Sequence, residues 1–377
     1  MTNPSFKPTE IYVESHVANF PVTKKVLRYF TGVPTTIIDD HAQIKIPEDH
    51  TEAKNKLFLN RLKGELIKTC QGQGAVCCHY HTIDLITNCP LECTYCILQD
   101  YLKNNPILTI HTNLDEIFDA IRTKLKAEPK KIFRVGAGEL SDSLALDHIT
   151  SFSKDCVALA NEIDNLVFEF KTKTNNIDNL LNLKHRGNVV IAWSLNPQKY
   201  IETEELKSAS LASRLKSARL CANKGYPIAF HFDPLLCFPD WKEQYSHIID
   251  ELANQFTAKE IAWISLGALR FTPGLKKITE DRFPKSRIMS GELFPMPDGK
   301  IRYFRPIRQA MFQTLIPEIM RKLGKVPHYL CMETSQIWTD VFGHVPSIQD
   351  VESRVAERFL DFATAESKSC AMHKIIQ

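Results

Sequence analysis

Cys89, Cys93 and Cys96 form a CxxxCxxC run, three thiols within one short stretch. This spacing lets a loop wrap a metal centre with each thiolate turned inward, as in iron–sulfur clusters. Three ligands with no fourth in the run could leave one iron open to a small molecule. Structural zinc is the rival reading, although it usually takes four ligands arranged as two pairs. Glu92 and Thr94 interrupt the thiols and Pro90 opens the loop, which argues against plain core packing. Cys77 and Cys78, near His79 and His81, are a second metal candidate. Neighbouring side chains on a strand face opposite ways, so that pair suits ordinary packing better than one shared ion.

Further chemistry-bearing residues fall at the ends of strand-like segments. Gly136 and Gly138 followed by Glu139 allow a close backbone approach to a ligand and set a carboxylate at the rim. A turn into a helix capped by Ser141 or Asp142 would look the same. Residues 166–173 alternate, with Phe168 and Phe170 on one face and Glu169, Lys171 and Lys173 on the other. A charged face turned inward needs partners and marks a polar pocket; an edge strand with one wet face is the alternative. Ser194 and Asn196 share a face at the next strand end, and His231 and Asp233 at the one after. The latter two suit proton transfer or ligand orientation, or a hydrogen-bonded structural pair. Farther on, Asp298-Gly299 is a hairpin signal. Its return strand interleaves Lys300, Arg302 and Arg305 with Tyr303 and Phe304. That mixture suits nucleic acid, where cations meet phosphates and rings meet bases, and equally a solvated hairpin.

The elements that must position these residues alternate. Strands are expected at 82–87, 132–138, 166–173, 189–196, 227–233 and 262–271, with helices at 113–127, 149–161, 177–183, 206–224 and 241–255. This rhythm predicts an α/β fold, a partial (β/α)6 TIM-type barrel. An open doubly wound sheet fits less well, since no GxGxxG follows the first strand. In parallel barrels the chemistry sits at the C-terminal strand ends. The expected organisation is an N-terminal extension over 1–75, with a strand at 11–14 and a helix at 22–30, the barrel over 76–275, and a C-terminal hairpin and helical region over 276–377.

An apolar fraction of 44% and a charged fraction of 24% are those of a globular protein with a sizeable core, and a net charge of +3 does not by itself call for a polyanionic partner. No apolar run is long enough for a membrane helix, and the polar start lacks a secretory h-region. The 11 cysteines then read as reduced thiols and metal ligands in a cytoplasmic protein.

The CxxxCxxC run after a first strand resembles the signature of the radical S-adenosylmethionine (SAM) enzymes. That resemblance implies a [4Fe-4S] cluster on the three thiolates, SAM on the remaining iron, and Tyr95 beside the adenine. A longer similarity links the chain to the spore photoproduct lyase family of radical SAM proteins. It runs through residues 11–14, the cysteine loop with Leu98 and Gln99, Ser141 and Asp142 on to Asp147, His148 and Thr150, Thr172 and Lys173, Ser194 to Asn196, and Gly225, Tyr226 and Pro227. It implies a lyase that cleaves SAM reductively to a 5′-deoxyadenosyl radical and reverses a thymine photolesion in DNA. By motif position Ser141, Lys173 and Ser194 resemble SAM contacts, with Asn196 beside them. The Arg302-to-Arg305 hairpin resembles the element that approaches DNA. A reductant such as flavodoxin or ferredoxin is implied as a partner.

Two positions depart from the pattern. Where the lyase has a hydrogen-donating cysteine the chain has Glu139, and where it has a relay tyrosine after the third cluster cysteine the chain has Ile97; Tyr95 is retained. Gly138 and Glu139 instead resemble the Gly-Gly-Glu element with which other radical SAM enzymes hold the amino group of SAM. The expected catalytic set is therefore Tyr95, Glu139, His231 and Asp233. Three functions stay open: a radical SAM enzyme acting on DNA, one acting on a non-DNA substrate, and a non-catalytic metal-cluster protein that binds nucleic acid.

Overall fold

The structure, a computed structural model, describes residues 6–354 apart from 71 and 73, together with 356 and 359. Seven strands run parallel and lie side by side in chain order: β1 (His81–Thr82), β2 (Phe133–Gly136), β3 (Leu166–Thr172), β4 (Val189–Ser194), β5 (Ile228–Leu235), β6 (Ile261–Ala268) and β7 (His328–Leu330). Lys68–Thr69 adds an antiparallel strand outside β1. The sheet curls into a half-barrel, and an antiparallel bridge between Val76 and Glu333 ties the segment before β1 to the segment after β7.

Helices Leu114–Ala127, Phe152–Glu162, Leu211–Asn223, Trp241–Gln255 and Arg305–Leu323 fill the crossovers. The first buries Leu114, Ile117, Phe118, Ile121 and Leu125, one face at helical spacing. The helix expected at 177–183 is a series of turns. Asparagines at and just before this span bind backbone in other segments: Asn176 donates to Ala145 at 3.0 Å and Asn179 to Asp147 at 2.9 Å. Such side chains compete with helical hydrogen bonding.

The strand expected at 82–87 divides between two sheets. Thr82 pairs with β2, whereas Ile86–Thr87 pairs antiparallel with Leu108–His111. Ile86–Thr87 is the edge of a second sheet that continues through Leu108–His111 and, in parallel, Lys56–Asn60, Glu10–Glu14 and Thr35–Ile38. The cysteine run is thus an excursion from the second sheet, closed at its base where Ile86 and Ile110 pair. A seventh barrel strand, β7, comes from the region expected to be only hairpin and helix. Among the described residues no helix is long and apolar enough to cross a membrane.

Candidate active site

A cavity of about 480 Å³ opens at the C-terminal ends of the barrel strands. One wall is the cysteine excursion. Asn88, in the left-handed region at φ 68°, turns the chain; its side chain accepts from Cys89 N at 2.8 Å and donates to Pro106 O at 2.5 Å. Lys54 Nζ holds Leu91 O at 2.7 Å and Glu92 at 3.1 Å. Gln99 donates to Cys93 O and Thr94 O, both at 3.1 Å, and Thr94 Oγ1 donates to Glu204 at 2.5 Å. Glu92–Cys93 also forms a short antiparallel ladder with Glu205–Leu206. So fixed, Cys89, Cys93 and Cys96 all face the cavity. Burial pushes their thiols up, that of Cys89 to about 12. Among the described residues no three Cys, His, Asp or Glu close around a point as ligands of a single ion do.

The adjoining wall comes from the ends of β2, β3 and β4. Gly138, Glu139, Ser141, Lys173 and Ser194 all line the cavity. A Cβ at Gly136 would collide with the barrel, 2.5 Å from Glu169 O, and one at Gly138 would be tight, 3.1 Å from Lys171 Cβ. Asp142 knits the wall together, accepting from Lys173 N at 2.6 Å, Thr172 Oγ1 at 2.8 Å and Leu144 N at 3.0 Å. Glu139 accepts from Thr82 Oγ1 at 2.6 Å. Ser141 Oγ is buried at the cavity with no hydrogen-bond partner among the described residues. A hydroxyl in that state invites a polar ligand atom.

Beneath the wall lies a network that motif reasoning missed. Glu205 receives Arg214 Nη2 at 2.6 Å, Asn196 Nδ2 at 2.9 Å and the Tyr95 hydroxyl, with Lys173 Nζ 3.6 Å away. Burial opposes its charge, but Arg214 and Lys173 hold the Glu205 carboxyl at about 2. Asn196, expected at the cofactor, does not line the cavity; its oxygen accepts from Tyr245 at 2.7 Å. Tyr95 does line it, with its hydroxyl tied to Glu205 and Lys173 Nζ 5.8 Å from the centre of its ring.

His231 and Asp233 both face the cavity floor, but each has its own partners. Glu169 accepts from His231 Nε2 at 2.8 Å and from Arg134 at 2.7 and 2.9 Å. Because a carboxylate only accepts, Nε2 carries the proton, and Nδ1 accepts from Ser265 Oγ at 2.5 Å. Burial lowers His231 to about 4, so it is neutral near pH 7. Both ring nitrogens of His231 are therefore engaged within the floor. Asp233 is paired with Arg270 at 2.9 and 3.3 Å. Burial opposes its charge, but Arg270 and Lys171 hold its carboxyl well below the usual range.

The C-terminal hairpin, Leu293–Pro295 with Ile301–Tyr303, pairs onward with Arg270–Phe271. Of the four residues expected to meet DNA, two point inward. Arg302 is 2% exposed and forks onto Asp298 at 2.7 and 2.6 Å, and Tyr303 is 4% exposed, its hydroxyl accepting from Cys237 N at 3.1 Å. Lys300 lines the cavity and Arg305 stands at the surface, 3.7 Å from Asp340. Two rings do reach solvent: Phe294 and Phe304 are exposed, their centroids 5.0 Å apart.

Comparison with known proteins places this cavity in context. A family model described as spore photoproduct lyase matches residues 6–294. The chain is 27% identical over 288 residues to the spore photoproduct lyase of Geobacillus sp. (strain Y412MC61), covering 75% of this chain and 84% of the relative. It is 26% identical over 298 residues to that of Bacillus subtilis (strain 168), covering 76% and 85%. A solved spore photoproduct lyase complexed with dinucleoside spore photoproduct superposes with a TM-score of 0.78 at 25% identity, over 87% of this chain and 100% of that one. A mutant lyase with bound AdoMet and dinucleoside spore photoproduct gives 0.77 at 25% identity, over 87% and 99%.

Proposed function

The chain belongs to the spore photoproduct lyase family, and from that premise we propose that it is a radical SAM enzyme whose substrate is a thymine photolesion in DNA. The observation that carries this reading is the meeting, on one cavity, of Cys89, Cys93 and Cys96 with Ser141, Lys173 and Ser194. These residues fit the implied groups. Three thiols on a multiply anchored loop suit a cluster, and the orphaned Ser141 hydroxyl suits a polar ligand such as SAM. Bound there, a [4Fe-4S] cluster would supply the electron that cleaves SAM to methionine and a 5′-deoxyadenosyl radical.

The chain's own residues do the positioning. The Glu205 network fixes the Tyr95 ring and the Lys173 ammonium in relation to each other. Glu139, steadied by Thr82, offers a carboxylate to an ammonium group such as that of SAM. Lys300 brings a cation to the cavity mouth, where a phosphate of the lesion strand would pass. The solvated Phe294 and Phe304 pair gives bases a surface on which to stack.

A second reading, radical chemistry on a substrate other than DNA, draws support from the burial of Arg302 and Tyr303, which narrows the basic surface of the hairpin. One experiment separates the two. Reconstituted protein is incubated with SAM, dithionite and UV-irradiated DNA, and the nucleosides are quantified by mass spectrometry. Loss of a thymine photoproduct with recovery of thymine supports repair. SAM turnover with an unchanged lesion profile, and no salt-dependent DNA binding, supports the second reading.

A further inference from the structure

Four cysteines outside the CxxxCxxC run also line the cavity: Cys70, Cys77, Cys78 and Cys331. They meet because the Val76–Glu333 bridge draws the segment before β1 to the segment after β7. Arg134 on β2 reaches across the interior to the Tyr329 hydroxyl on β7 at 2.8 Å. Phenols stand among the thiols, since Tyr80 and Tyr329 line the same wall, and the Tyr80 hydroxyl is buried with no partner among the described residues. This is the part of the cavity left when the cysteine loop and the Gly138-to-Ser194 wall are set aside. It holds the weak S–H and O–H bonds that positions 139 and 97, here Glu139 and Ile97, lack.

Two of these thiols accept from a guanidinium: Cys78 Sγ lies 3.8 Å from Arg134 Nη1, and Cys331 Sγ makes the closer contact. The Cys77 thiol donates to Cys70 O at 3.1 Å, so its hydrogen is engaged. Cys331 Sγ instead lies 3.5 Å from Arg270 Nη2. A guanidinium only donates, so the sulfur accepts there and its own hydrogen is left to point elsewhere. The side chain borders the cavity, half-buried, and its backbone N–H is fixed to Leu266 O at 2.7 Å. The next residue, Met332, has φ 55°, a conformation rare for an unbranched non-glycine side chain, of the kind that collects at functional positions. Burial and the neighbouring Asp233 carboxylate keep this thiol protonated at neutral pH, so its S–H bond is present when needed.

We infer that Cys331 gives the hydrogen atom that quenches the carbon-centred radical on the opened substrate, taking over a task for which position 139 has no thiol. This assignment rests on the radical reading above. In the step the S–H bond breaks homolytically, a C–H bond forms on the substrate, and the unpaired electron passes from carbon to Sγ. A small dithiol is the co-reactant that restores Sγ–H. It delivers one hydrogen atom per turnover and ends as its disulfide after two.

The test uses the reconstituted full chain with SAM, dithionite, a dithiol and dinucleoside spore photoproduct in D2O, where thiol hydrogens exchange for deuterium. Wild type should release 5′-deoxyadenosine and place solvent deuterium on the repaired thymine. Cys331→Ala and the near-isosteric Cys331→Ser should still release 5′-deoxyadenosine but lose the label, because a serine O–H is too strong to donate. Cys237→Ala, at an exposed thiol away from the cavity, should keep the label. Unchanged labelling in both Cys331 variants overturns the assignment and leaves the radical reading standing. Absence of 5′-deoxyadenosine from the wild type overturns both. A folding defect is recognised by comparing far-UV circular dichroism, and retained labelling in whichever variant folds overturns the assignment.

Discussion

On one side of the cavity the cysteine loop is held by Lys54, by the 204–206 segment and, through the Thr279 hydroxyl on Thr94 O at 2.9 Å, by helix Pro273–Arg282. On the other side Cys331 and Lys300 reach the cavity from a strand end and a two-strand hairpin. The first side carries the cysteine run with Ser141, Lys173 and Ser194; the second carries Cys70, Cys77, Cys78 and Cys331 and a hairpin whose Arg302 is turned inward. Three separate elements anchor the first wall, whereas the second rests on a strand end and a hairpin.

The largest effect that would break this comparison is expected at the anchored wall. Cys93→Ala should abolish iron and sulfide binding, read by metal analysis and the visible absorption of the reconstituted protein, whereas Cys331→Ala should leave both intact. Next comes Glu205→Gln. It leaves Arg214, fully buried, without its counter-ion, and such a loss destabilises by about 3–5 kcal/mol. Urea unfolding should show the drop, and SAM affinity should fall with it because Tyr95 and Lys173 lose their anchor.

Acid sensitivity sharpens the picture of the floor. The His231 pKa is lowered from 6.5 to about 4 in the folded chain, so between these values the unfolded chain binds a proton that the folded chain does not. Its contribution to stability is complete above pH 6.5 and declines as the pH falls toward 4. Glu169 and Glu205, held at about 2 against 4.5, extend the loss from pH 4.5 downward. His50, His81 and His111 are lowered by burial to about 4 as well, so His231→Gln should reduce the slope of the upper part of the stability–pH curve by one proton's share and leave the lower part. Smaller effects follow at single contacts. Ser141→Ala should weaken SAM binding by about 1 kcal/mol, roughly fivefold, by calorimetry. Arg305→Ala should reduce the salt slope of DNA binding by about one while changing stability by less than about 0.5 kcal/mol.

Much of this was legible in the residues themselves. Period-two alternation marked β3, and the glycines and thiols at strand ends marked the cavity, because burial on one face imposes the pattern directly. Glu205 and Arg214 were not legible: they sit in a connection and a helix without a distinctive spacing, and only the fold brings them beneath Tyr95. Arg302 and Arg305 look equivalent in sequence, yet the turn at Asp298 captures Arg302 while Arg305 stands at the surface near Asp340. The segment at 82–87 reads as one strand because its apolar residues satisfy two sheets in succession, with Ile83 N bonded to Gly136 O and Leu85 O to His111 N. β7 is short and follows a long break in the strand–helix rhythm, which hid both it and Cys331.

The most direct test of the central claim is the release of 5′-deoxyadenosine from SAM by anaerobically reconstituted wild-type protein under dithionite, measured beside Cys93→Ala. The account predicts steady formation by the wild type and none by the variant. No formation by wild-type protein that has bound iron and sulfide would contradict it.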